Sequence, residues 1–243
     1  MTITVENVVK TGTNGTDTVF SPAAYSNGGV DRVVLALITL TASGAVAPNV
    51  TSITSAGLTW AKRAEASMYD GTSSQKSEIW WAYAAAQLSA HSITINHDSS
   101  NTFAVTLLSA AGCNTPSSPW DTNVSVPASA TNTSTGVGSL PTVSGINESN
   151  TAPMFIWLQS TRAGEVAQTV PSGFTANGVN NQEPGVGSNR SYQQTGYKAD
   201  TGPLTGQSFS GGPSETQWTA ICDVLAGGGT PPPYVHSFST AMI

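Results

Sequence analysis

Three histidines, two cysteines and fourteen carboxylates are the side chains of this 243-residue sequence best suited to chemistry, and their spacing decides which chemistry is open to them. His91 and His97 share one face of the β-like run HSITINH, but six residues of extended chain hold them roughly 20 Å apart, too far to grip one metal ion. His236 stands close to the end of the chain, and Cys113 and Cys222 lack the paired spacing of a zinc site. No metal and no other cofactor is expected. A serine nucleophile has no Gly-x-Ser-x-Gly elbow to sit on, and the glycine-rich GVGSLP (136–141) and GVGSNRS (185–191) lack both the third glycine of a dinucleotide loop and the Gly-Lys-Ser/Thr ending of a phosphate loop. A glycosidase on a β-sandwich needs two carboxylates facing one cleft, whereas here the acidic residues are scattered singly. The loops TNGTDT (13–18) and NHDSSN (96–101) offer oxygens without the spacing of a calcium loop. The chain is not expected to be an enzyme.

Two side chains remain as candidates for contact with a ligand or a neighbouring subunit. Alternation along EIWWAYA sends Ile79, Trp81 and Tyr83 to one face and Glu78 and Trp80 to the other. Trp80 is then a core or subunit-interface residue or, if outward, a flat platform for a glycan. Asp223 interrupts the apolar strand WTAICDVLA on the face opposite Trp218, Ala220, Cys222 and Val224. It is expected to point outward on a half-exposed sheet, or to make a polar contact at a subunit interface. Trp60, Trp81, Trp157 and Trp218 lie in apolar strand contexts and belong to the core.

The elements that must position these residues are strands. No stretch keeps apolar residues at helical spacing for three turns, while β-branched and aromatic runs recur between Gly, Pro, Asn and Ser clusters. The clearest strands are 2–9, 32–40, 78–84, 91–97, 102–110, 153–161, 191–198 and 218–226. Residues 33–40 are apolar at nearly every position, so both faces of that strand must be covered. The halves also echo each other: RVVLALIT, GLTW, SEIWWAYA and TFAVTLLSAAG are answered by PMFIWLQS, GFTA, RSYQQTGYKA and WTAICDVLAGG. This is a weak internal duplication in which each half supplies part of one sandwich, residues 1–226. Two separate units dividing at the polar stretch ATNTSTGVGS (130–139) are the alternative.

Charged residues make up only 9% of the chain, against about a quarter in an ordinary soluble domain, and the net charge is −6. No Lys or Arg occurs between Lys76 and Arg162 or after Lys198, so the clustered cations a nucleic acid requires are missing. The doublet Lys62-Arg63 is expected to be a solvated strand end. The N-terminus shows no signal-peptide pattern, and the longest apolar run is far short of the roughly 20 residues of a membrane helix. Reduced cysteines, as in a protein assembled in a cytoplasm, fit this composition.

The series VVLALITL, SITSAGLTWAKR, SEIWWAYA, LLSAAG followed by SPWD, SGFT and a final Trp-initiated strand resembles a jelly-roll-like module of phage virion structural proteins and related bacterial surface proteins, over residues 2–226. Cys113 and Trp120 depart from it, standing where an aliphatic residue and a Phe are expected. The resemblance implies an all-β, jelly-roll-like antiparallel β-sandwich without a catalytic signature. It also implies a virion component assembled in the host cytoplasm: a capsid decoration or head-spike protein, with a tail accessory or receptor-binding protein as the alternative. Its partners would be capsid or tail structural proteins and further copies of itself, with a host glycan as an additional candidate. The ending GGGTPPPYVHSFSTAMI (227–243) is additional to the module. Its Gly and Pro residues favour an extended arm reaching about 50 Å, with Tyr234, Val235, Phe238, Met242 and Ile243 as the contacts to a partner.

Overall fold

The computed structural model of the chain describes residues 2–14, 17–98, 102–114, 118–133, 140–146, 150–161, 169–182, 191–201 and 217–227. Among them the chain forms strands and no helix: β1 (Thr4–Asn14), β2 (Val19–Phe20), β3 (Arg32–Ser43), β4 (Val50–Thr54), β5 (Ala61–Tyr69), β6 (Ser73–Ala84), β7 (Thr94–His97), β8 (Thr102–Ala111), β9 (Ala128–Asn132), β10 (Met154–Thr161), β11 (Thr175–Gln182), β12 (Ser191–Ala199) and β13 (Trp218–Leu225). All eight strands expected from the sequence are present. The five others gave a weaker or shorter signal: β2 and β4 are two and five residues long. β5, AKRAEASMY, carries none of the Val, Ile or Thr that advertises a strand, and is held by its ladder to β6. The polar stretch that might have divided the chain begins inside β9, which pairs with β13 through Asn132 opposite Trp218.

Every ladder is antiparallel, and the strands form an all-β sandwich in three sheets ordered β1-β8-β3-β6-β5, β11-β12-β10-β13-β9 and β2-β7-β4. The two large sheets face each other through Val33, Leu35, Leu37, Ile79 and Leu108 on one side and Met154, Ile156, Leu158, Ile221 and Leu225 on the other. The small sheet covers the opposite face of the first large sheet, where Val34, Ile38, Trp80, Phe103 and Leu107 meet Val50, Ile53 and Ile95. Behind the second large sheet, Phe155, Trp157, Trp218 and Cys222 pack under Val126, Val143 and Ile146. The continuous apolar run of β3 is explained by its place between two cores.

The second large sheet, read from its β9 edge, runs β9-β13-β10-β12-β11, and each strand answers one of β1-β8-β3-β6-β5 in the same order. Three of the four echoing pairs lie on the matching strands, with GLTW and GFTA leading into β5 and β11, and Val33, Leu35 and Leu37 of β3 share the inter-sheet face with Met154, Ile156 and Leu158 of β10. Each half therefore builds a whole large sheet. Within the first half the chain also passes repeatedly between layers, with β1, β3, β6 and β8 in the large sheet and β2, β4 and β7 in the small one.

One end of the space between the large sheets is polar. Gln193 of β12 donates to the Leu37 carbonyl at 2.9 Å, Thr39 Oγ1 at 3.2 Å and the Ala104 carbonyl at 3.3 Å, and accepts from Thr106 Oγ1 at 2.8 Å. Gln75 Nε2 donates to Ser160 Oγ at 2.6 Å, and the hydroxyls of Ser77 and Thr219 meet at 2.6 Å. Hydrogen bonds thus fix the register of the two sheets where apolar packing alone would allow sliding.

Candidate functional site

The ionisable side chains gather around β5 and β6, and a β-bulge places them. Pairing of β5 with β6 passes from Lys62 opposite Trp80 to Ala64 opposite Ile79, leaving Arg63 as the extra residue. A bulge re-aims side chains. Lys62 turns toward the core under the small sheet, while Arg63 turns with Ala64 toward the second large sheet. Of the doublet expected to be a solvated strand end, Lys62 stays exposed at the start of β5 with its ammonium reaching toward Glu78, whereas Arg63 is drawn between the large sheets.

On the second-sheet side, Arg63 Nε donates to Asp223 Oδ2 at 2.8 Å and Nη2 to Oδ1 at 3.3 Å. The Arg63 guanidinium lies 5.1 Å from the centre of the Trp120 ring, which meets Trp81 edge-on. Asp223 is fully buried, and burial, only partly offset by Arg63, holds its carboxyl above the ordinary range. The expected alternation along β13 is correct, but the face it assigns to Asp223 is the inter-sheet one. Instead of pointing outward, the side chain makes its polar contact within the chain.

On the small-sheet side stands Glu78, also fully buried. Its Oε1 accepts from the Val50 backbone N–H at 3.2 Å and its Oε2 from Trp80 Nε1 at 2.6 Å. Two lysines converge on it, Lys62 Nζ at 3.5 Å from Oε2 and Lys76 Nζ at 3.8 Å from Oε1. Both lysines also reach Glu65 Oε2, at 2.7 and 3.0 Å. The lysine contacts keep the Glu65 carboxyl below its ordinary value. Burial would lower Lys62, but Glu65 and Glu78 raise it. Lys76 Nζ further donates to Asn49 Oδ1 at 2.5 Å. Asn49 is held from its other side by Asp98, whose Oδ1 accepts from the Asn49 backbone N–H at 2.7 Å and whose Oδ2 accepts from Nδ2 at 3.1 Å.

Trp80 is only 9% exposed, so the glycan-platform role loses its surface: the small sheet covers the ring and Glu78 takes its N–H. Asp223 and Trp80 lie on opposite faces of the first large sheet and do not form one site. His97 is buried against Phe103, the rings stacked 5.3 Å apart, and neither ring nitrogen has a hydrogen-bond partner. Among the described residues no group of His, Cys, Asp and Glu could hold a metal ion. Cys113 packs between the large sheets and Cys222 behind the second; burial pushes the Cys113 thiol up to about 12 and raises Cys222 as well. Tyr234, Val235, Phe238, Met242 and Ile243 lie outside the described residues. Gly227, expected to release the arm, belongs to the packed body: its N–H donates to Asn150 Oδ1 at 3.0 Å and it bridges Cys113.

Sequence reasoning missed the Lys76, Glu78 and Asn49 grouping, because Asn49 is 27 residues from Lys76 and joins it only when β4 folds over β6. The signal present was Lys76 and Glu78 two apart, sharing a face with Trp80. No family model, curated protein or solved structure matches this chain.

Proposed function

We propose that the chain is a structural component displayed on a virion surface, a capsid decoration or head-spike protein that acts through protein contacts and carries no catalytic activity. The observation that best supports this reading is how the scarce charge is used. Arg32, Lys62, Arg63, Lys76 and Lys198 all engage carboxylates of the same chain. Cations committed to internal pairs leave little to steer nucleic acid or charged substrates, and a charge-poor exterior suits a rigid body surrounded by repeated neighbours.

In this reading the body through Gly227 is displayed, and the arm that follows it fastens the body through Tyr234, Val235, Phe238, Met242 and Ile243, adding a strand to a capsid or tail subunit or to another copy of the chain. The test is immunogold labelling and mass spectrometry of gradient-purified virions of the virus encoding the sequence. Stoichiometric presence on the particle supports the role, and confinement to the unassembled fraction overturns it. Removing residues 230–243 should leave a folded body with reduced particle occupancy; unchanged occupancy would remove the arm from the mechanism.

A further inference from the structure

The Lys76, Asn49 and Glu78 group has the parts of a self-modifying site. A primary amine stands 2.5 Å from the oxygen of a carboxamide, and the carboxamide is clamped from its nitrogen side by Asp98 at 3.1 Å. These two contacts together fix which end of the Asn49 amide is oxygen and which is nitrogen. A carboxylate with no solvent exposure, held by Trp80 and Val50, lies 3.8 Å from the amine. The Lys76 side chain is itself only 7% exposed. Its ammonium is paired with Glu65 at 3.0 Å and with Glu78, so the amine is held in place beside the carboxamide rather than free to turn away. Holding the amine against the carboxamide favours an intramolecular reaction, since held reactants behave as if at effective molarities of about 10⁵ M or more.

We infer that Lys76 and Asn49 become joined by an isopeptide bond, formed by the chain on itself with Glu78 as the proton carrier. Glu78 takes a proton from the Lys76 ammonium, and the freed Nζ lone pair attacks Asn49 Cγ. The tetrahedral carbon then collapses with cleavage of the Cγ–Nδ2 bond. Of the three protons on the original ammonium, one stays on the new amide and two pass to Nδ2, which leaves as ammonium. No oxidant, reductant or second substrate enters. Asp98 orients the leaving nitrogen, and Lys62, 3.5 Å from Glu78, remains as counter-ion once the Lys76 charge is gone. The bond would staple the small sheet to the first large sheet, and this inference stands independently of the virion role.

The experiment uses the full-length wild-type chain. Loss of one ammonia lowers the intact mass by about 17 Da relative to the sequence. Trypsin then fails to cut after Lys76, and residues 33–62 travel with 64–162 as one branched peptide. Lys76→Arg restores the sequence mass, corrected for the substitution, and Glu78→Gln is found uncrosslinked while keeping its β-type circular dichroism. A wild-type chain at full sequence mass, or one that has lost ammonia yet is still cut after Lys76, overturns the inference. The second result would mean ring closure at an asparagine elsewhere or at Asn49 alone.

Discussion

Arg63 and Asp223, 160 residues apart in the chain, close a two-pronged ion pair across the two large sheets, with Nε 2.8 Å from Oδ2 and Nη2 3.3 Å from Oδ1. Leu108 stands opposite Leu35 on the first sheet as Asp223 stands opposite Ile156 on the second. The matching position thus holds an apolar residue in one half and half of an ion pair in the other. Arg63→Met strands a buried carboxylate and should lower unfolding stability by about 3 kcal/mol. The double variant Arg63→Met with Asp223→Leu should recover most of that loss. Urea denaturation of the two variants beside the wild type measures both effects.

Gln193 is the hub of the polar end between the same sheets. Gln193→Met keeps the volume but leaves the Thr106 hydroxyl without its acceptor, at an expected cost of about 1–3 kcal/mol. Hydrogen exchange should rise at β12 and β8 before it rises at β6, and an even rise over all strands would argue against a local role.

His97 gives the fold a pH dependence whose sign follows from its surroundings. Burial lowers its pKa, against the weaker upward pull of Asp98 and Asp17. The unfolded chain therefore binds a proton, with a pKa of about 6.5, that the native state resists. Stability should be complete above that value and fall as pH drops from it toward the lower native pKa. His97→Phe, stacked on Phe103, should flatten this part of a stability-against-pH curve measured by thermal melts.

Trp80 distinguishes core from ligand platform. Trp80→Ala should cost about 3–5 kcal/mol by opening a cavity beneath the small sheet, and it also leaves Glu78 short of a donor. The intrinsic fluorescence of the wild type should not respond to a panel of glycans at millimolar concentration, because the ring that would stack on a sugar is already packed.

Gly227 is the last described residue, and a Cβ there would collide with the Ala152 carbonyl and lie 2.7 Å from Ile3 Cγ1. Gly227→Ala should lower the melting temperature, at a cost of about 1–3 kcal/mol. The same substitution at Gly57, which has open space around it but a φ of +72°, should act only through backbone strain of about 1 kcal/mol.

Much of the fold was legible in the sequence by itself. Alternation and β-branched content located eight strands, the unbroken apolar run of β3 announced cover on both faces, and the repeated order of elements pointed to a weak duplication without saying that each half would build a sheet of its own. These are local properties, carried by a period of two residues and by propensity. The positions that matter for the site were decided by tertiary structure. Alternation says that Glu78 and Trp80 share a face, and that Asp223 opposes Cys222, but not what lies over either face. A small sheet of three short strands buries the first pair, and a second large sheet buries Asp223. The bulge at Arg63 depends on the register with β6, and the approach of Asn49 to Lys76 depends on β4 closing over that strand. Burial by a distant segment is a property of the assembled layers, and it is what brings Arg63 against Asp223 and Lys76 against Asn49 and Glu78.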